Sequence, residues 1–432
     1  MQRGFDPARA PGGHLHWLRD ARGAHLAAFL RDGLPGPREE AWRYTPLRAL
    51  ERRAFAPSDP EAATRVIAGD APGARLGSIR LCFVNGALRP ELSDPLGSLP
   101  EGLGVEPLSA ALSGPRPPGS PRLLFLGRRY EHPADAFARL NTALAVDGAL
   151  IHVAAGARIE ATLELVFIGA GTGTPTSWHL RNLVELAADA RLDLIERHVS
   201  IDGADALGNV LTHIHVARGA RLRHVRVQEC DDAARLFART EAAVAGEGLY
   251  EPLSLELGAA LSRHELNVDL QGRGASVLTR GAMLLHGRRL CDTRLSIRHL
   301  APGTTSDTLW RAIAEDRGRA AFHGGITIAE GADGSDAALT TRSLLLSDSA
   351  EIDAQPVLEI HADEVKASHG ATVGQLDPAA MFYLRARGVP REQSRAMLTF
   401  AFCREVVDVL EDASLREALA ERLRARVPGA GP

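Results

Sequence analysis

The central part of the chain repeats a short pattern of apolar, turn-forming and small residues. An apolar residue is followed, after two variable positions, by a turn-forming residue and an alanine, and often by a charged and a second apolar residue. Self-similarity of this kind is typical of stacked supersecondary units. The pattern recurs between residues 149 and 376, in the segments Val153–Ile159, Leu186–Leu192, Val216–Leu222, Ile328–Ala332 and Leu346–Ile352.

Each repeat is predicted to form two short strands that are joined by a tight corner. Gly or Asp at the corner tolerates unusual backbone angles, and the alanine keeps the corner narrow enough for the next coil to stack. The pattern therefore predicts a mainly β fold with a parallel β-helix (solenoid) core over residues 126–376. An antiparallel sandwich with similar turns is the alternative, but two-residue hairpin signals are scarce in this region.

The first 125 residues are expected to form an N-terminal helical domain. It includes a β-hairpin at 79–88, where Asn85 and Gly86 suit a turn that needs positive φ at both positions. A Pro-rich stretch over 114–121 predicts a linker, because proline lacks a donor and constrains its neighbours. After it, Pro133 and apolar residues at helical spacing up to Leu144 predict a helix.

Residues 377–432 are expected to form a C-terminal helical domain. Asp377 and Pro378 have the pattern of a helix cap, with Gly388 as the stop. A second helix should start near Pro390, and Ser414 to Glu417 has the spacing of a capping box for a third. Because the ends of a solenoid expose unpaired backbone, we expect the flanking helices to cover them.

Composition and charge exclude several function classes. The formal net charge is −4, from 50 basic and 54 acidic residues, so a nucleic-acid partner gains no support. No apolar run approaches the roughly 18 residues that span a bilayer, and the N-terminus does not resemble an export signal. The sequence thus predicts a cytoplasmic protein without a membrane partner.

The four cysteines and the glycine-rich segments do not form recognisable sites. Cys82, Cys230, Cys291 and Cys403 lie far apart without a CxxC pair, and we expect the last three to be core residues. Because no GxxxxGK[ST] segment occurs, any ATP hydrolysis must come from a partner.

Longer motifs show a resemblance to a known family. The run from Leu358 to Asp377, the segment Phe382–Gly388, the N-terminal segment Glu40–Leu47 and the tetrapeptide Phe83–Gly86 resemble the SufD family of iron–sulfur cluster assembly proteins. The similarity extends from about residue 38 to about 410, and the C-terminal motif is long and specific.

The resemblance implies a right-handed parallel β-helix between helical domains and a non-catalytic scaffold role in a SufBCD complex. A SufB-like paralogue would form a heterodimer with this chain, the SufC ATPase would dock on the C-terminal helices, and the chain alone could form a homodimer. SufB-like chains carry a cysteine near positions 341–343, where Thr, Arg and Ser stand here, which favours the partner subunit over the main scaffold. The expected partner-binding residues are Phe382, Tyr383, Leu384, Arg385, Arg387, Gly388 and Phe402.

The resemblance also makes His369 a candidate for transient iron binding. It matches a family histidine proposed to help iron entry or cluster formation, and neutral imidazole is a good iron ligand. The alternative is a histidine that only forms hydrogen bonds at the subunit seam. No stably bound cofactor is expected, only transient iron or a nascent cluster at the SufB interface, with reduced flavin on the assembled complex as an option.

Two further hypotheses stay open from the residues alone. His213 and His215 share a strand face, as do Glu196 and His198 one coil earlier, so stacking of the coils could bring these side chains together as a metal site. Parallel β-helices also host lyases and acyltransferases, but a strict six-residue rhythm and an export signal are both missing.

Overall fold

The computed structural model describes residues 6, 8, 10–58, 74–114, 121–171, 173–201 and 203–428. Most of the predicted Pro-rich linker, residues 115–120, lies outside the described residues. The predicted domain boundaries at 125 and 376 stay predictions. None of the helices in the described ranges combines the length and apolarity that a membrane span requires.

Short elements precede the repeats and confirm the predicted hairpin. Two strands around Asn85 and Gly86 pair antiparallel, and both turn residues have positive φ, 48° and 87°. The predicted helix after Pro133 is also present. In chain order the described elements are α1 His16–Asp32, α2 Arg48–Glu51, β1 Ala56–Pro57, β2 Ile79–Val84, β3 Ala87–Leu88, β4 Leu103–Pro107, α3 Leu108–Ser113 and α4 Ala136–Leu144.

Sixteen strands in the described residues then form the repeating part. They are β5 Ala149–Val153, β6 Leu163–Ala170, β7 Thr176–Leu186, β8 Arg191–Ile201, β9 Ala206–Val216, β10 Arg221–Glu229, β11 Arg235–Val244, β12 Leu249–Glu256, β13 Leu261–Leu270, β14 Ser276–Leu285, β15 Leu290–His299, β16 Thr305–Ala314, β17 Arg319–Ile328, β18 Asp336–Leu345, β19 Glu351–Ile360 and β20 Lys366–Gly374.

The strands alternate between two parallel sheets. The first sheet has the order β19-β17-β15-β13-β11-β9-β7-β5-β4, and the second has the order β20-β18-β16-β14-β12-β10-β8-β6-β2-β3. Each coil therefore places one strand in each sheet, directly beside the strands of the coils before and after it. This arrangement confirms the predicted parallel β-solenoid and excludes the antiparallel sandwich.

Apolar residues stack in register between the two sheets, in the space we call the lumen. One column of aligned partners in the first sheet consists of Val184, Ile214, Ala242, Val268, Ile297, Ile326 and Leu358. The corners also follow the prediction. Asp189 and Gly219 adopt left-handed backbone angles, and the alanines that follow them, Ala190 and Ala220, are buried.

The flanking helices lie against the sides of the solenoid. Phe137 on α4 stacks on Phe237 of the first sheet at a centroid distance of 3.5 Å. At the other side, the helices α5 Pro378–Arg385, α6 Arg391–Arg404 and α7 Ala413–Arg426 follow the last coil. Residues of α6 and α7 form one apolar cluster with outward-facing residues of the second sheet, among them Val225, Leu253 and Ile313.

The expectation that the C-terminal helices cover an end of the solenoid is therefore wrong. Strands of the second sheet are apolar on both faces, and the outer face needs a cover more than the end does. The proposed capping box at Ser414 is also wrong. Asp412 caps α7 instead, because its carboxylate accepts hydrogen bonds from the backbone N–H groups of Ser414 at 2.8 Å and Leu415 at 3.1 Å.

Gly281 on β14 provides a test of the lumen packing. A Cβ at this position would lie 2.5 Å from two atoms of the Trp310 ring, which is fully buried one coil later. We expect Gly281→Ala to destabilise the protein by about 1–3 kcal/mol in urea unfolding, since the ring has little room to move. Gly374→Ala is the control, because its Cβ meets nothing within 4 Å. Equal midpoints for both variants would contradict this packing.

Candidate functional site

The last coil of the solenoid is open. Within the described residues, β19 pairs only with β17 and β20 only with β18, so each strand leaves one edge of backbone N–H and C=O groups unpaired. Nearly every residue of β20 is exposed. This end carries the segment Leu358–Asp377, the longest of the motifs found in the sequence.

His369 lies on the lumen side of this open coil. It is the register partner of Leu339 on β18, and Leu339 is a buried member of the lumen core. Ala367, two residues earlier, packs against the same core. Since no further coil follows in the described part of the chain, His369 stays exposed where its counterparts in earlier coils are buried. The imidazole therefore stands at the mouth of the lumen.

The ring is open to solvent. His369 is exposed, and Val373, which faces the same side of β20, is 44% exposed. A ligand or a partner side chain can therefore reach this side of the strand.

The acidic neighbours do not gather around His369. Glu359 faces the outside, where Thr327 Oγ1 lies 3.5 Å from its carboxylate, and Asp363 belongs to the turn between β19 and β20. Glu364 in the same turn has a left-handed backbone angle, φ 51°. In the described ranges, no group of three or more His, Cys, Asp and Glu side chains has the geometry to hold a metal ion.

The proposed stacking of the other histidines is wrong. Glu196 and His198 lie on β8 in the second sheet, whereas His213 and His215 lie on β9 in the first sheet. His213 is buried outside the lumen, where its Nε2 lies 3.2 Å from the guanidinium of Arg181. The spacing of two residues correctly predicted that His213 and His215 share a strand face. Spacing alone could not show to which sheet each strand belongs.

Sequence reasoning missed the real neighbour of Glu196, which is His224 on β10. The Nε2 atoms of His224 and His198 lie 3.5 Å and 3.6 Å from the Glu196 carboxylate, and Thr212 donates a hydrogen bond to it at 2.9 Å. Burial raises the pKa of Glu196, but the two imidazoles outweigh it and hold the pKa well below the usual range. Aligning successive coils could have identified this pair, since Leu194 and His224 are register partners.

The four cysteines are buried and free, which confirms the prediction of a core position for Cys230, Cys291 and Cys403. Burial raises the pKa of Cys82 to about 11 and the pKa values of Cys230 and Cys403 to about 12. These thiols are therefore protonated near neutral pH and poor ligands for a metal.

The predicted partner-binding residues separate into exposed and packed side chains. Phe382 and Tyr383 on α5 are 74% and 56% exposed, and Arg387 stacks on the Tyr383 ring at 3.4 Å. Leu384 is half-buried, Arg385 is exposed, and Gly388 ends the turn with φ 85°. Phe402 on α6 instead packs against the second sheet and lies 5.3 Å from the Arg311 guanidinium.

Comparison with known proteins agrees with this architecture. The family model for the SufBD core domain of SUF-system FeS cluster assembly matches residues 167–402, and the model for the SufBD protein N-terminal region matches residues 12–165. The chain belongs to the SufB/SufD family.

Relatives point to one branch of this family. The iron–sulfur cluster assembly protein SufD of Escherichia coli is 33% identical over 407 residues, which cover 94% of this chain and 92% of the relative. An iron–sulfur cluster assembly SufBD family protein of Synechocystis is 28% identical over 93% of this chain and 89% of its own length. SufD of Bacillus subtilis is 24% identical over 67% of this chain and 66% of its own length.

The buried histidines should make the stability of this SufB/SufD family protein depend on pH. Burial, with help from Arg226, lowers the pKa of His198 to about 4. The unfolded chain, with an ordinary histidine pKa near 6.5, then binds more protons between these values, so stability falls as pH falls from about 6.5 to about 4. We expect His198 to account for about 2 kcal/mol of the stability lost between pH 7 and pH 5.

Urea unfolding of His198→Asn at pH 7, 6 and 5 checks this expectation. The variant should lose less stability on acidification than the wild type, whatever its stability at pH 7. The same substitution at exposed His132 serves as the control. If His198→Asn keeps the full wild-type slope, His198 is not held neutral in the folded protein.

Proposed function

We propose that this chain is a SufD-type scaffold subunit of the SUF system, and that its open last coil is the seam with a SufB-type partner. The observation that carries the proposal is the combination of unpaired strand edges, an exposed lumen mouth and the longest family motif in one place. An exposed strand edge is a template for another chain, and proteins rarely leave a long one uncovered.

Residues 341–343 favour the partner subunit over the main scaffold. Thr341 and Ser343 on β18 are buried, and Arg342 between them is exposed. No thiol stands at these positions, where SufB-like chains carry a cysteine. The partner would therefore supply the sulfur ligands of a nascent cluster, and this chain would supply the other wall of the assembly site.

Helix α5 is the proposed docking surface for the SufC ATPase. Its side chains contribute no buried residue to the described structure, and Phe382 and Tyr383 present aromatic surface beside the arginines at 385 and 387. Aromatic and arginine side chains are the residue types that dominate protein interfaces.

His369 would contribute one ligand or proton acceptor at the seam. A single imidazole does not hold iron alone, so the proposal is transient binding, completed by groups of the partner. Reduced flavin on the assembled complex and a cytoplasmic location stay predictions.

Co-expression with SufB-type and SufC-type subunits tests the proposed assembly. We expect all three chains to co-elute in size-exclusion chromatography, with native mass analysis giving the stoichiometry. The double variant Phe382→Ala/Tyr383→Ala should lose the ATPase at least tenfold while keeping the SufB-type chain, because exposed aromatics are interface anchors. Point variants are preferable to truncation, since removing residues after 376 would also expose the apolar face under α6 and α7.

The control for this experiment is Val409→Ala, which removes an apolar side chain, 52% exposed, from the same C-terminal region outside α5. ATPase binding should be unchanged in this variant. If the α5 double variant still retains the ATPase at full affinity, the docking surface lies elsewhere. If no SufB-type chain co-elutes with the wild type, the proposed function itself is wrong.

Substitution of His369 separates assembly from cluster formation. We expect His369→Ala to change the free energy of unfolding by at most about 1 kcal/mol, because the side chain is exposed and makes few contacts. Iron and sulfide on the co-purified complex should fall several-fold relative to the wild type. His361→Ala, a nearby exposed histidine outside the strand, is the control. Equal cluster content in His369→Ala and wild type would leave His369 a structural residue.

A further inference from the structure

Alternating charges cross the outer face of the second sheet in a continuous line. Each side chain contacts the next one, and we call this line the charge ladder. Its members are Arg80 on β2, Glu164 on β6, Arg197 on β8, Glu229 on β10 and Arg422 on α7. Since β2, β6, β8 and β10 are consecutive neighbours in this sheet, the ladder connects the N-terminal hairpin with α7.

The contacts of the ladder are close, and its centre is shielded from solvent. Arg80 Nε lies 2.9 Å from one oxygen of Glu164, and Arg197 Nη1 lies 3.2 Å from the other. Arg197 Nη2 also lies 3.5 Å from Glu229, and Arg422 Nη1 donates to both oxygens of that carboxylate at 2.9 and 3.0 Å. The side chains of Glu164 and Arg197 are 0% and 2% exposed. Solvent therefore screens these charges little, and each depends on its neighbours for compensation.

The chain just before β2 lies directly on this ladder. The backbone nitrogens of Leu76 and Gly77 lie 3.4 Å from the Glu164 carboxylate. A Cβ built on Gly77 would come within 2.7 Å of the Glu164 Cβ, so the backbone there covers this side chain. Leu76 also packs against the apolar cluster that α6 and α7 form with the second sheet. The segment that leads into β2 thus contacts both the ladder and the cluster beneath α7.

Arg197 is the residue through which a change at one end of the ladder can reach the other. Its guanidinium is shared between Glu164 and Glu229, so the two carboxylates compete for it. Arg422 supplies a second positive charge to Glu229 from the side of α7. Without Arg422, Glu229 would draw Arg197 more strongly, and the buried Glu164 would lose part of its counter-charge. β2 and the segment that leads into it would then be held less firmly.

We infer that the charge ladder couples the C-terminal helices to the N-terminal hairpin, so that release of α7 weakens the hold on β2. Sites this far apart, roughly 14 Å across three strand spacings, usually contribute independently to stability when they share no partner. The shared guanidinium of Arg197 removes that independence. The coupling is a property of the chain alone and does not rest on the proposed function. It lets the N-terminal end of the solenoid respond to events at the C-terminal helices.

Hydrogen–deuterium exchange of the full chain tests the coupling. We expect Arg422→Gln to raise the exchange rate of the β2 amides about tenfold, while the amides of β17 in the first sheet stay unchanged. The variant should fold, because Arg422 lies at the rim of the helix contact with 19% of its side chain exposed. Arg424→Gln is the matched control on α7 and should leave β2 unchanged. The contacts of Arg424 with Glu421 and with the Phe400 ring stay within the C-terminal helices.

Two further variants separate the ladder from simple loosening of α7. Glu229→Gln also loses the ion pair with α7, but it removes the competitor for Arg197. We expect its β2 exchange, and that of the double variant Arg422→Gln/Glu229→Gln, to stay within about twofold of the wild type. Arg422→Lys should also stay within about twofold, because Arg422 binds Glu229 through one nitrogen, as an ammonium can.

Each other pattern of exchange would overturn the inference. If Arg422→Gln leaves β2 unchanged although the amides of α7 exchange faster, the two ends are independent. Equal acceleration in Arg422→Gln, Glu229→Gln and the double variant would show that β2 responds to the packing of α7 and not to the ladder. Acceleration in β17 as well would show a general loss of stability. Acceleration of β2 confined to variants in which Glu229 lacks a positive charge from α7 is the result that supports the coupling.

Discussion

The backbone hydrogen-bond ladder between coils is the constraint on which the rest of the structure depends. Each coil satisfies its backbone groups only by lying between two other coils. The first and last coils of a solenoid therefore have strand edges that need hydrogen-bond partners from elsewhere. At the N-terminal end the chain itself supplies these partners, because β3 pairs antiparallel with β2 and β4 pairs antiparallel with β5. At the C-terminal end, β19 and β20 receive no such strand in the described structure. The two ends of the described solenoid therefore differ, because antiparallel strands cover the N-terminal end and leave the C-terminal end open.

Polar groups inside the lumen help to fix the register of the coils. Arg226 forms an ion pair with Glu256 of the next coil, and Ser262 donates a hydrogen bond to the same carboxylate at 2.7 Å. Removing either charged partner would leave the other buried without its counter-charge. A slip of one residue between coils would do the same, so these pairs favour one alignment. Purely apolar columns, which tolerate exchange of one aliphatic residue for another, specify alignment less strictly.

Much of the fold could be predicted because the structural repeat of the solenoid is visible as a repeated pattern in the sequence. The corner residues Asp189 and Gly219 and the hairpin at Asn85 depend on local backbone preference, which a single sequence displays. The location of α6 and α7 could not be predicted in this way, because it depends on which strand faces are apolar once the coils have formed. The pairing of His224 with Glu196 was missed for a related reason, since it requires the register of two coils, not the spacing within one strand.

The candidate site shows the same contrast between what a local motif predicts and what only the folded arrangement of the coils determines. His369 could be selected from its motif, but the motif does not say that the side chain lies at the lumen mouth, because that depends on β20 being the last strand of its sheet in the described residues. The C-terminal helices also divide into two parts that pack differently. The residues of α6 and α7 that pack on Leu253 and Ile313 hold the apolar face of the second sheet, whereas α5 buries none of its side chains. In the proposed function, stability and docking therefore belong to different residues of one segment, and the ATPase would bind α5 while the sheet that positions His369 stays covered.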